Sequence, residues 1–334
     1  MYRFSICVLI MMLSGVIGCQ PPSSSPSPAE RSQATQRPPN ANVRPSRRNW
    51  NKNDMAPGIG MSKQAPIKSN VDQDVFDPQQ DDREFDLSFL SWNVESDGAD
   101  SNVIAEQLSE LNVDDRYDVF GLTEVLPEDF GKFRNALGKH YKYAYSKSGR
   151  NDRLQILYNE DKFEKVRHFE LEEINLKNRY RAPLVVHLKS LDGDYEFLVV
   201  VNHLARGKAE IRQQQATMLV EWARGQTLPI VAIGDYNFDY VFDTDKGNPG
   251  FVNFMRDNVW SWVKPEQMID TNWYDDPEQP DGKDDYPGSM LDFAFVANGA
   301  KEWSQRCRVL VRDHDFPDDE TTSDHRPFEL LLSK

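Results

Sequence analysis

Six short stretches of this 334-residue chain set carboxylate, amide or imidazole side chains against apolar neighbours. They are Trp92-Asn93-Val94-Glu95, Leu122-Thr123-Glu124-Val125, Asn202-His203-Leu204, Gly234-Asp235-Tyr236-Asn237, Leu291-Asp292-Phe293 and Ser323-Asp324-His325. Burying such groups without a partner would be costly, so each stretch predicts a partner or a ligand. Oxygen donors and imidazoles delivered from several strand ends are the inventory of a hard-cation site for phosphoryl chemistry. Phosphodiester cleavage needs a deprotonated water, neutralised phosphate oxygens, and a proton or cation for the leaving group. A cation with two histidines backed by carboxylates supplies all three. Taken singly the signals are ordinary. Asn93 reads as a turn residue, Glu124 as a strand-end carboxylate, and His203 as a buried histidine with its hydrogen bonds met. Six of them in one chain are not a chance pattern.

The elements that must deliver these groups mix strands and helices. Val, Leu, Tyr and Phe at strand lengths predict strands over residues 85–94, 117–125, 141–146, 154–158, 184–191, 197–203, 230–233, 290–296, 308–311 and 327–332. Helical spacing predicts helices over 102–111, 128–137 and 207–224, the last with Ile211, Met218, Leu219 and Trp222 on its apolar side. Many strands and few helices imply packed sheets with helices outside them. No repeat of solenoid period interrupts this pattern. Residues 240–288 are irregular and carry Asp243, Asp245, Asp275, Asp276, Asp281, Asp284 and Asp285 without the spacing of an EF-hand. Trp260, Trp262, Trp273 and Tyr274 in the same stretch read either as core or as a stacking or membrane-touching surface.

The N-terminal quarter reads differently. Arg3 followed by an apolar run to Ile17 has the form of an export signal. Its end, Val16-Ile17-Gly18-Cys19, resembles the lipobox of bacterial lipoproteins, in which the cysteine is lipidated; the alternative is an ordinary signal with Cys19 incidental. Residues 20–82 are rich in Ser, Pro, Gln and Asn and too poor in apolar side chains to offset the entropy of ordering, which predicts a disordered tether. This leaves 83–334 as one catalytic domain, large enough for a real core. Cys307 has no internal partner in the mature chain, and no zinc ligand set can be built around it. The chain carries a net charge of −15, and the nine basic and five acidic residues before position 81 leave about −19 for the rest. Such a domain lacks the broad basic footprint of a duplex-binding protein. Part of that charge fits a carboxylate cluster around a cation, and the bulk fits a solvated surface.

In this order, Trp92-Asn93, Glu124, Asn202-His203-Leu204, Gly234-Asp235-Tyr236-Asn237, Asp292 and Ser323-Asp324-His325 resemble the endonuclease/exonuclease/phosphatase superfamily over about residues 85–334. The resemblance implies an α+β fold: two packed mixed β-sheets, a β-sandwich, flanked by helices in four αββα layers, with the site at one end. It implies Glu124 as principal Mg²⁺ ligand, with Asp324 and Glu95 completing the site directly or through water. Mn²⁺ or Ca²⁺ are alternatives. Asn93 would contact a phosphate oxygen or orient the metal shell, and Asp235 and Asn237 would position the attacking water and the phosphate. Asp292 would hold His325 protonated. His203 would act as general acid or phosphate ligand, with Asp152 a weaker candidate for its carboxylate partner. Arg181 reads as a phosphate contact or as a surface arginine that starts a strand. The Pro-x-Trp-x-Asp-Arg pattern of inositol-polyphosphate phosphatases is missing around Asp292. The expectation is an exported, membrane-anchored, monomeric phosphodiesterase facing the periplasm or cell surface, acting as a nuclease on nucleic acid or another phosphodiester. A phosphatase or sphingomyelinase-like enzyme is the alternative, and a catalytically retired binding module is the non-enzyme one.

Overall fold

The computed structural model describes residues 85–334 apart from 194, 314 and 318–320, so the signal, Cys19 and the tether lie outside the described residues. Alternation of apolar side chains along the strands creates three apolar layers. In β1 (Leu87–Asn93), Leu87 and Phe89 join a central cluster while Leu90 and Trp92 join an outer one. Strand β2 (Val119–Val125) divides in the same way, Val119 inward and Phe120 and Leu122 outward. In the other sheet, Val199 and Val201 of β7 (Glu196–His203) and Val231 and Ile233 of β8 (Ile230–Val241) enter the central cluster. Leu198, Val200, Ile230 and Ala232 enter a second outer cluster. One core therefore lies between the sheets and one beneath the helices on each outer side. This is the four-layer α+β arrangement.

The remaining strands are β3 (Tyr141–Tyr145), β4 (Arg153–Asn159), β5 (Phe163–Glu170), β6 (Leu184–Ser190), β9 (Trp260–Trp262), β10 (Ser289–Ala297), β11 (Ser304–Val309) and β12 (Phe328–Ser333). The sheets run β11-β12-β1-β2-β4-β3 and β5-β6-β7-β8-β10-β9. Each has one parallel pair, β1 with β2 and β7 with β8, and its other pairs are antiparallel. A parallel pair needs a crossover, and α1 (Ser101–Leu111) and α3 (Ala209–Arg224) lie in these two. Asp100 caps α1 by accepting from Asn102 N at 2.9 Å, and Ile104, Leu108 and Leu111 form its buried face. Helix α2 (Phe130–Leu137) buries Phe130, Phe133 and Leu137, and Pro249 starts the short α4 (Pro249–Phe254) behind the Asn248 cap. At Gly121 an added Cβ would meet Ile233 and Val201 side chains at 2.6 and 2.8 Å, so the sheets approach there through a missing side chain.

Several elements depart from their sequence pattern. Strand β8 continues to Val241 rather than stopping at 233, carrying the whole Gly-Asp-Tyr-Asn stretch within it. Strand β5 is an edge strand whose Glu164, Arg167 and His168 face solvent, so alternating charge masks it. The strand expected at 308–311 lies at Ser304–Val309, where Arg306 and Arg308 dilute the apolar signal. Trp260 is core, and Trp262 packs on Tyr240, Phe251 and Phe293. Trp273 and Tyr274 stay partly exposed. Cys307 is a free, buried thiol. No helix among the described residues is long and apolar enough to cross a membrane.

Away from the polar strand ends, Glu329 is fully buried in β12. Its Oε2 accepts from Arg116 at 2.9 Å and from Tyr117 Oη at 2.9 Å, and its Oε1 accepts from Arg308 Nε at 2.7 Å. Removing the acid strands two partly buried guanidiniums, a loss of about 3–5 kcal/mol for a broken buried pair. Glu329→Ala should lower the urea unfolding free energy by about that amount. A change below about 1 kcal/mol would contradict this account.

Candidate active site

Parallel pairing of β7 with β8 sets Asn202 beside Gly234 and His203 beside Asp235. Gly234 has φ 130°, and a Cβ there would stand 2.2 Å from the Asn202 carbonyl oxygen, which explains glycine at that position. The resulting approach puts His203 Nε2 3.4 Å from Asp235 Oδ2. Across the sandwich, Asn93 at the end of β1 donates from Nδ2 to the same Asp235 oxygen at 3.3 Å. Asp235 Oδ1 accepts the Asn237 amide at 2.9 Å, and Asn237 Nδ2 donates to the Leu204 carbonyl at 3.2 Å. Asn237 Oδ1 is buried with no hydrogen-bond partner, a polar atom left for something outside the protein.

Glu124 lies in a register shift of the β2–β4 pairing and has φ 56°. One of its oxygens is 3.6 Å from His203 Nε2 and 3.9 Å from an Arg181 nitrogen. Arg181 also forms a two-pronged pair with Asp152, donating from Nε at 3.0 Å and from Nη2 to the other oxygen. Asp152 is thus the partner of Arg181, and the carboxylates set against His203 Nε2 are Asp235 and Glu124.

A second pair joins Asp292 of β10 to His325, in the segment that leads into β12, whose Nδ1 is 2.7 Å from Asp292 Oδ2. Asp324 Oδ1 stands 3.7 Å from Nε2 of the same ring. Trp92 Nε1 donates to the His325 carbonyl at 2.8 Å, Ser323 Oγ accepts the His325 amide at 3.0 Å, and Ser323 Oγ donates to the Asn93 carbonyl at 2.5 Å. Glu95, at φ 42°, accepts the Asp324 amide at 3.1 Å. The ten principal site residues expected from the sequence therefore fall into two linked groups. Glu124, His203, Asp235, Asn237, Asn93 and Arg181 form one, and Asp292, His325, Asp324 and Glu95 the other.

Burial alone would lower the His325 pKa, but the carboxylates of Asp292, Asp324 and Asp235 and the Asp292 hydrogen bond raise it to about 10. The ring is a cation at neutral pH. Burial first, then Asp292 and Glu124, push Asp235 up to about 7 against the opposing pull of His325 and Arg206. A carboxylate raised that far, mainly by burial, is a candidate functional group. Arg206 was not evident from sequence. Burial lowers its pKa while Asp235, Asp239, Asp324 and Glu124 act the other way. Its signal was an arginine three residues beyond His203, held in a loop where Arg212 of α3 donates to the Ala205 and Arg206 carbonyls at 3.0 and 2.6 Å.

Among the described residues, no group of three or more His, Cys, Asp or Glu side chains is arranged to hold a metal ion. Hard oxygen donors, with Asn237 Oδ1 left unpartnered, nonetheless suit Mg²⁺, which keeps its waters and takes one or two protein carboxylates. A separate surface depression of about 600 Å³, lined by Arg134, Lys142, Tyr143 and Tyr158 among others, includes none of these residues.

Two packed six-stranded mixed sheets with this polar seam have the architecture of a phosphoesterase-type fold. A model of the endonuclease/exonuclease/phosphatase family matches residues 90–325, and the chain belongs to that family, whose fold is generally catalytic and which includes nucleases, phosphatases and phospholipases. Among solved structures, a mannosyl-6-phosphatase of Bacteroides thetaiotaomicron is 21% identical, with a TM-score of 0.57, covering 74% of this chain and 100% of that one. TDP2 of D. rerio, complexed with a single-strand DNA product, is 14% identical with a TM-score of 0.57, covering 74% and 99%. A functionally unknown conserved protein of Enterococcus faecalis is 19% identical with a TM-score of 0.53, covering 74% and 99%. At these identities the likeness establishes the fold. A search of curated proteins found no match.

The raised pKa of His325 carries a pH signature. Its ordinary value is 6.5 and its folded value about 10, so the folded state holds the proton more tightly. The stabilisation is complete below pH 6.5 and disappears as pH rises through about 10. The gap in unfolding free energy between the wild type and Asp292→Asn should therefore be widest near pH 6 and shrink steadily towards pH 10. A gap that grows with pH contradicts the charged pair.

Proposed function

We propose that this chain is a divalent-metal-dependent phosphodiester hydrolase of nuclease type, a monomer exported and held at a membrane through lipidated Cys19. The observation that supports it most is the pair of contacts, Asn93 to Asp235 and Asp292 to His325, in one polar seam. In this reading Asp235, raised to about 7, takes a proton from the attacking water that Asn237 helps to hold. His325, cationic at neutral pH, donates to a phosphate oxygen. His203 delivers a proton to the leaving oxygen, its Nε2 lying 3.6 Å from Glu124 and 3.4 Å from Asp235. Asn93 and Arg181 orient the phosphate. Mg²⁺, or Mn²⁺ or Ca²⁺ in its place, held by Glu124 with Asp324 or Glu95 directly or through water, would supply charge neutralisation at the phosphate oxygens.

The second reading, hydrolysis of small phosphate esters or lipid headgroups, draws on one observation. The acidic segment from Asp275 to Asp285 begins right after residues paired with Asp324 and His325, and it repels a long polyanion. Circular single- and double-stranded DNA, sphingomyelin and a simple phosphomonoester, each with Mg²⁺ and with chelator, separate the two. DNA cleavage is expected to vanish in chelator and to fall by about 10²- to 10⁴-fold in His325→Ala. Turnover of sphingomyelin or the monoester alone moves the assignment to the second reading. For the anchor, Cys19→Ser should shift the exported chain from the membrane fraction to the soluble one; unchanged membrane retention removes that part of the proposal.

A further inference from the structure

The backbone around Arg181 is held by side chains rather than by a sheet ladder. Residues 181–183 precede β6, and Pro183 has no amide hydrogen to offer. The Ala182 amide donates to Ser148 Oγ at 2.8 Å, and on the other side of Arg181 the Tyr180 amide donates to Asn175 Oδ1 at 2.8 Å. Ser148 belongs to residues 146–152, the loop from β3 to β4 in the opposite sheet. That loop has no large apolar side chain to bury, so hydrogen bonds must set its shape. Its base is closed at Ser146, whose amide donates to the Leu154 carbonyl and whose Oγ accepts the Leu154 amide, both at 2.9 Å. At its tip Gly149 has φ 107°, and a Cβ there would stand 2.3 Å from the Asp152 carbonyl oxygen.

One carboxylate organises both segments. Glu170, the last residue of β5, accepts the Lys147 amide at 2.7 Å with Oε1 and the Ser148 amide at 2.9 Å with Oε2. Ser148 Oγ donates to the same Oε2, which leaves its oxygen free to accept from Ala182. Hydrogen bonds to an ionised acceptor are roughly twice as strong as neutral ones. Glu170 is paired with Leu184 in the β5–β6 ladder, and the Leu171 amide donates to the Pro183 carbonyl at 3.0 Å. The acid is therefore fixed by the strand that Arg181 leads into. The clamped loop ends at Asp152, whose carboxylate accepts from Arg181 Nε at 3.0 Å. Arg181 is thus held at its backbone through Ser148 and at its guanidinium through Asp152, and both holders sit on the loop that Glu170 grips.

We infer that Glu170 is a positioning residue for the reaction: by clamping the β3–β4 loop from the other sheet it fixes Ser148 and Asp152, and through them aims the Arg181 guanidinium at the Glu124 side of the site. The inference rests on the reading in which Arg181 orients the phosphate, and adds a residue that acts through its neighbours. An unrestrained arginine has many rotamers, and settling them in the free protein favours the geometry needed with substrate bound. Arg181 comes within 3.9 Å of a Glu124 oxygen, so a small shift of the loop changes where its charge meets a phosphate. A misplacement of about 1 Å in such a group costs on the order of a hundredfold in rate.

The test has one readout without turnover and one with it. In the full-length chain, kept in chelator, amide hydrogen exchange is followed by mass spectrometry in the loop from β3 to β4 and in the segment around Arg181. Glu170→Ala should speed exchange in both by about tenfold, as expected for lost bonds to a charged acceptor. Peptides from β7 and β8 should stay protected, which separates loss of the clamp from misfolding. Ser148→Ala should speed exchange around Arg181, and Glu170→Gln, which keeps one acceptor oxygen, should fall between wild type and Glu170→Ala. Unchanged exchange around Arg181 in Glu170→Ala overturns the inference. With Mg²⁺ and bis(p-nitrophenyl) phosphate, Glu170→Ala should lower kcat/KM by about ten- to a hundredfold. Little further loss should follow when it is added to Arg181→Ala, because the two act as one unit. Losses that multiply overturn the link to Arg181. A wild type that hydrolyses no phosphodiester removes the hydrolase reading, and the exchange result then decides the clamp by itself.

Discussion

Two side-chain contacts across the sandwich govern what the rest of this molecule can be. Asn93 reaches Asp235 from one sheet to the other, and His325, just ahead of β12, reaches Asp292 of β10. All four residues are buried, where an unpaired charge costs several kcal/mol and a paired one is tolerated. The sheets must therefore stay within hydrogen-bonding reach at this end. The apolar core sets that spacing, with Gly121 giving up its side chain so that Ile233 and Val201 can close in. Core packing and polar chemistry thus share one constraint, the distance between the sheets.

Backbone irregularity then turns ordinary strand ends into a site. A regular strand would alternate its side chains strictly between faces. Glu95, Glu124 and Asn237 have φ of 42°, 56° and 52°, conformations that non-glycine residues adopt at a cost of about 1–3 kcal/mol. Each sits beside a contact of the polar seam: the Asp324 amide, His203 and the Asp235 carboxylate respectively. Strain of this kind persists only where the surroundings over-determine it, and here the surrounding hydrogen bonds do so.

Much of this was legible in the sequence, and the reason is local. Strands such as β7 and β10 are continuous apolar runs whose interruptions, His203 and Asp292, stand out by contrast. Order along the chain did the rest, because six such interruptions together resemble one family. What escaped notice depends on partners distant in sequence. Strand β5 is polar by itself and becomes a strand only through pairing with β6. The continuation of β8 past Gly234 follows from pairing with β10, which Asp292 joins opposite Asp235. Arg181 is legible as a candidate phosphate contact, but its pairing with Asp152, 29 residues away, is not. Arg206 has an unremarkable sequence context and matters only through the carboxylates gathered around it.

The assignment of acid and base roles also comes from surroundings rather than residue type. Burial acts on both His325 and Asp235 to favour the neutral form, yet the two end in opposite conditions. His325 has two carboxylates close by, and their attraction outweighs its burial, so it keeps its proton. Asp235 has carboxylates for neighbours as well, and for an acid these add to the burial, so it also binds a proton more readily than a free carboxylate. The result is a permanent donor and, across the same seam, a carboxylate poised near neutrality, the combination that pairs an acid with a base at one pH. An acidic surface, unhelpful for gripping nucleic acid, becomes intelligible at this point. The carboxylates that repel a polyanion are the same class of group that tunes His325 and Asp235, and a cation among them would reconcile the site with a phosphate.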